Sequence, residues 1–193
     1  MNLTLIHRIL LTYKNDCFIL QEECENKGRG ISMEKKELGL EGYLSDCSPD
    51  FEIYVRQVHD KLMQGGMEVK VQQAKSGHVV SFTDPKSKKV IANFISRKKG
   101  PVIRIYGDNV GKYEGTLEEL PEGMIKDIEK TSVCRRMVDP VKCNAKCPMG
   151  YAFTIHGNLY QKCRYNCFMF VMNAENVPSI INLLDHEIRQ RVV

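Results

Sequence analysis

Cys143 and Cys147, then Cys163 and Cys167, form two pairs with the same spacing of three intervening residues, separated by a segment long enough for one β-hairpin. A thiolate is a soft donor. Zinc takes four such ligands tetrahedrally at about 2.3 Å, and two short loops held side by side by a hairpin can supply two each. The expected cofactor is therefore zinc, with an iron–sulfur cluster as the alternative. Disulfides or unligated buried thiols would satisfy the same spacing. The three-cysteine pattern of radical enzymes that cleave S-adenosylmethionine is absent. A closed four-sulfur site leaves no coordination position for water, so its expected work is structural.

Geometry constrains how each pair can act. Cys163 and Cys167 in one straight strand would lie about 13 Å apart, too far for a single ion. Arg164-Tyr165-Asn166 must therefore turn, and Asn166 tolerates left-handed backbone angles. Pro148-Met149-Gly150 can fold the other pair, and a single helical turn would also serve. His156 and Cys134 are the substitutes if one of the four cysteines is not a ligand. Cys134 also sits beside Arg135 and Arg136, charges that favour a thiolate, so it is the candidate reactive thiol. Against that role, no resolving cysteine is adjacent in sequence, and a packed, unreactive thiol is the plainer reading.

A second group of residues could contact phosphates. Between positions 86 and 104 the chain carries Lys86, Lys88, Lys89, Arg97, Lys98, Lys99 and Arg104 with no acid among them. Two hairpin turns would display most of these on one side of a sheet, a surface able to follow a nucleic-acid backbone. Arg164 joins them from the cysteine segment, where Tyr160 and Tyr165 are available to stack on bases. Lysines blunting an exposed sheet edge explain the same run without a ligand.

Catalytic patterns are scarce. Pro49-Asp50 and Glu68-Val69-Lys70 match the letters of a magnesium nuclease signature, but Asp50 is placed to open a helix instead of lying on a strand. No HExxH, glycine-rich phosphate loop or nucleophile elbow is present. The sequence assigns no catalytic residue. Its expected function is a zinc-stabilised, non-enzymatic binding module, with nucleic acid the leading partner. The rival is a thiol-based redox or metal-responsive protein.

These residues have to be positioned by an ordinary globular chain. At 193 residues, 42% hydrophobic and 27% charged, it can build one core with an appendage. A net charge of +4 permits a phosphate partner without requiring one. No apolar run approaches the roughly 20 residues that span a bilayer, and nothing resembles a secretory leader. Reduced thiols in a cytoplasm are expected. Lys27-Gly28-Arg29-Gly30 reads like a translated purine-rich ribosome-binding site, which makes Met33 the expected start and residues 1–32 an untranslated or disordered leader.

After Met33 the punctuation is clear. Ser48-Pro49-Asp50 predicts a helix start, with Phe51, Tyr54, Val55, Val58 and Leu62 on one face until Gly65-Gly66. Residues 67–71, 78–82, 89–95 and 102–106 predict a four-stranded antiparallel meander. Thr116 predicts the cap of a second helix, delayed or kinked by Pro121. Residues 131–150 lack an apolar period, a hairpin turns at His156-Gly157-Asn158, residues 168–172 form an apolar strand, and a closing helix buries Val177, Ile180, Ile181, Leu184 and Ile188.

The stretch Cys143-x3-Cys147-Pro-Met-Gly-Tyr followed by Tyr160-Gln-Lys-Cys163-Arg-Tyr-x-Cys167 resembles a group of small bacterial proteins with no assigned function. The likeness extends from about Phe51 to Ile188. It implies the boundaries, the metal site and a start at Met33, and no mechanism. The expected architecture is α+β: residues 33–130 as a meander flanked by helices, and residues 131–193 as a cysteine-clamped hairpin and closing helix packed upon it.

Overall fold

A computed structural model of the chain describes residues 39–75 and 77–191. The expectations about residues 1–32 and the start at Met33 lie outside the described residues.

The chain is α+β. Residues 39–44 are helical (α1), and a single 3-10 turn, Pro49–Phe51, runs into α2, Glu52–Gln64. Proline at the first helical position has no amide to leave unpaired there. Ser48 makes no side-chain bond to the helix amides, so proline and Asp50 mark this start without a hydroxyl cap. Val55, Val58 and Leu62 share one face and are buried, and Gly66 leaves the helix at φ +76, a conformation that favours glycine.

Four strands follow: β1 Glu68–Ala74, β2 Gly77–Thr83, β3 Val90–Arg97 and β4 Gly100–Ile105. They pair antiparallel in sequence order, as the turn signals predict. The sheet nevertheless has a fifth strand. β7, Met169–Val171, pairs antiparallel with β4 through Val102–Val171, Ile103–Phe170 and Arg104–Met169. The expected four-stranded meander is thus corrected to five strands, the last coming from the cysteine-rich third of the chain. Ile103 and Phe170 are both fully buried, and this join gives β4 a covered edge.

The second predicted helix divides. Thr116 is buried in a short α3, Gly115–Glu118, and Pro121 then opens α4, Glu122–Lys130. Proline has no amide to donate into a preceding turn, so one continuous helix gives way to two. Next come α5, Arg135–Val138, and a separate two-stranded ribbon of β5, Tyr151–Ile155, and β6, Asn158–Lys162. His156 and Gly157, at φ 48 and 76, make its two-residue turn. His156 is a turn residue.

The closing helix α6, Val177–Arg191, packs on α2 and is tied to it by Lys61 and Asp185 at 2.5 Å. Its buried stripe contains Val177, Ile180, Leu183 and Leu184, and also Glu187. No helix among the described residues is long and apolar enough to cross a membrane.

Candidate metal centre and the neighbouring cleft

The segment from Thr131 to Gly150 is held by backbone and polar contacts more than by apolar packing. Val133 forms an isolated antiparallel bridge with Lys162, the Cys134 amide donates to Gln161 O at 2.9 Å, and the Cys163 amide donates to Ser132 O at 3.2 Å. Residues 132–134 therefore extend the β5–β6 ribbon on its β6 side. Arg136 Nη1 then donates to the carbonyls of Asn144 and Ala145 at 2.9 and 2.8 Å, binding α5 to the turn between Cys143 and Cys147. That turn closes locally as well: Asn144 accepts the Lys146 amide on its side chain and the Cys147 amide on its carbonyl, each at 2.9 Å.

The second cysteine pair turns as its spacing requires. Cys163 O accepts the amides of Asn166 and Cys167 at 3.1 and 3.0 Å. Left-handed backbone is found at Met149, φ 78, and not at Asn166. The loop before β5, and not the turn after β6, carries that conformation.

These loops enclose a cleft of about 530 Å³ lined by four thiols: Cys134, Cys143, Cys147 and Cys163. Cys167 is not on its wall. That residue is 1% exposed and belongs to the main hydrophobic core, where burial raises its thiol far above the ordinary range. The sequence-predicted set of Cys143, Cys147, Cys163 and Cys167 is thus brought together only in part, while Cys134 stands with three of its members. Among the described residues no three His, Cys, Asp or Glu side chains already converge closely enough to hold a metal ion. The thiols surround one cleft without meeting at its centre. Arg135, Lys146 and Arg164 also line it, with no carboxylate among the described residues of its wall.

A second cleft shares Gly150, Arg164 and Tyr165 with the first. Lys89, Tyr106, Asp108 and Tyr151 complete its polar and aromatic wall. Arg164 is fixed there: its Nη2 donates to Asp108 Oδ1 at 2.7 Å, and its guanidinium lies 5.7 and 5.5 Å from the Tyr106 and Tyr151 ring centres. Tyr165 meets Tyr106 edge-on at 6.3 Å and is 44% exposed. The Tyr151 hydroxyl is buried with no hydrogen-bond partner among the described residues.

The remaining basic residues do not form the single surface expected of them. Lys86, Lys88 and Lys89 lie in or beside the β2–β3 turn, whereas Arg97, Lys98 and Lys99 lie at the β3–β4 turn. Successive turns of an antiparallel meander fall at opposite sheet ends, here separated by the length of β3, roughly 25 Å. Arg97, Lys98 and Lys99 line a different cleft with Asp46 and Cys47. Lys88 pairs with Glu68 at 3.4 Å. Arg104 is partly buried, with Nη2 3.9 Å from Met169 Sδ and Nε without a partner among the described residues. Of the eight predicted contacts, only Lys89 and Arg164 share a cleft beside the cysteines.

Comparison with known protein families, curated proteins and solved structures returns no match.

Proposed function

We propose that the protein is a zinc-stabilised, non-enzymatic binding module that recognises single-stranded nucleic acid. The metal would sit in the cysteine cleft, with Cys143, Cys147 and Cys163 among its ligands. The observation that carries the reading is the adjacency of two clefts, one thiol-lined and one lined by tyrosines and cations, with three residues in common. Four thiolates on zinc carry a net charge of −2, and Arg135 and Lys146 on the cleft wall supply compensating charge, while Arg164 is already paired with Asp108. Metal binding would draw the cysteine loops inward and set the position of Gly150, the wall common to both clefts.

Lys89 and Arg164 suit a phosphate, and Tyr106 and Tyr165 offer aromatic surface for a base. Asp108 holds the guanidinium in place before any ligand arrives, which lowers the ordering cost of binding.

The experiment combines metal analysis of freshly purified protein with fluorescence anisotropy on single-stranded oligonucleotides at several salt concentrations. The expected result is about one zinc per chain and an affinity that falls with salt at about 0.7 log units per contacted phosphate and decade of salt. No binding at low salt removes the nucleic-acid reading. Metal-free protein with unchanged folding removes the zinc.

A further inference from the structure

We propose that Cys134 and not Cys167 completes the metal site with Cys143, Cys147 and Cys163. This rests on the zinc reading above and specifies its ligand set, which the paired spacing in the sequence assigns differently.

Backbone pairing makes the first argument. With Val133 opposite Lys162, Cys134 stands opposite Gln161 and Ser132 opposite Cys163. Side chains alternate along extended backbone, so Cys134 and Cys163, two positions from Gln161, lie diagonally on one face. Lys162 points to the other face, where its ammonium reaches the carbonyls of Glu129 and Thr131. Lys162 does not line the cleft, whereas both thiols do.

The segment from Cys143 to Gly150 is delivered to the same place by two contacts. Arg136, two residues after Cys134, grips the Asn144 and Ala145 carbonyls between the two loop cysteines. Gly150 packs against Cys134 so closely that a Cβ there would lie 2.8 Å from Cys134 Sγ. The first contact ties the loop, and the second the segment that follows it, to Cys134 and its neighbours; neither involves Cys167.

The surroundings separate the two candidates. Both thiols are buried, yet Cys167 is a member of the apolar core cluster whereas Cys134 is outside that cluster and on the cleft wall. Cys134 therefore lines the cleft that also holds Arg135 and Lys146, whose charge would offset that of a four-thiolate centre. For Cys167 to ligate, it would have to leave its packing among the core side chains.

The test is cobalt(II) and zinc loading of the full-length wild type, C134S, C134H and C167A. Sulfur-to-cobalt charge transfer reports how many thiolates bind. Wild type and C167A should show the same four-sulfur spectrum and metal stoichiometry. C134S should bind zinc at least tenfold more weakly, and C134H should restore tetrahedral binding with one sulfur fewer. Circular dichroism of each variant separates lost ligation from lost folding, and C134H keeps the test decisive if C134S does not fold. The inference is overturned if C134S keeps the wild-type spectrum, or if folded C167A loses it; the zinc reading survives either result. Wild type that takes up neither metal overturns both.

Discussion

Glu187, fully buried on α6, accepts the Tyr113 hydroxyl at 2.7 Å. The same carboxylate accepts Asn109 through its amide at 3.1 Å and its side chain at 3.0 Å, and Arg191 Nε at 2.9 Å. One helical residue thereby fastens the closing helix to the segment after β4. Burial, and then the adjacent carboxylate, push the Tyr113 phenol well above its ordinary range, so it stays a donor. Glu187→Ala would leave Arg191, 7% exposed, without its nearest counter-charge. We expect a loss of about 3–5 kcal/mol in urea unfolding, with Glu187→Gln intermediate. A loss under about 1 kcal/mol would show that the pair contributes little to stability.

Gly150→Ala tests the seating of the cysteine loop. The added Cβ would overlap the carbonyl oxygen of Lys162 and crowd Cys134 at 2.8 Å. Backbone in β6 cannot yield as a flexible side chain would, so we expect about 1–3 kcal/mol of destabilisation. Cys134 should also become more accessible, and faster alkylation of that thiol, mapped by mass spectrometry, is the readout.

Lys162 is a cation only 6% exposed in the fold. Its ammonium donates to Glu129 O at 2.7 Å and Thr131 O at 2.9 Å, capping the carboxy-terminal end of α4, where positive charge is favoured. Lys162→Met keeps much of the apolar stem and removes the cap. The expected cost is about 1–3 kcal/mol, read by thermal unfolding. An unchanged midpoint would mean that water satisfies both carbonyls.

Asp84 gives the fold an acid-sensitive turn. Hydrogen bonding from the Ser87 hydroxyl, with the Lys86 and Ser87 amides behind it, holds its carboxyl below the usual carboxylate range. Because the folded-state pKa is the lower one, this stabilisation is complete above the unfolded value of about 4 and is lost as pH falls through the folded value. Asp84→Asn should cost about 1.5–3 kcal/mol near neutral pH. The gap from wild type should narrow below about pH 4. A gap that stays constant with pH would show that the charge of Asp84 is not what stabilises the turn.

The sequence by itself determined the helix from Pro49, its end at Gly65-Gly66, the order of four antiparallel strands, the hairpin at His156-Gly157 and the turn that Cys163 and Cys167 must make. Each depends on residues a few positions apart, where backbone angle, missing amides and side-chain period act directly. Only the tertiary structure decided that Met169–Val171 joins β4, that the lysines of two neighbouring turns lie at opposite sheet ends, and that Glu187 occupies a buried stripe. It also decided that Cys134 shares a wall with Cys143, Cys147 and Cys163 while Cys167 faces the core. Equal spacing makes the two cysteine pairs look equivalent because spacing records distance along the chain. Which thiols share a cleft depends instead on the pairing of Val133 with Lys162 and on the grip of Arg136 on a loop eight residues away, contacts that exist only once the chain is folded.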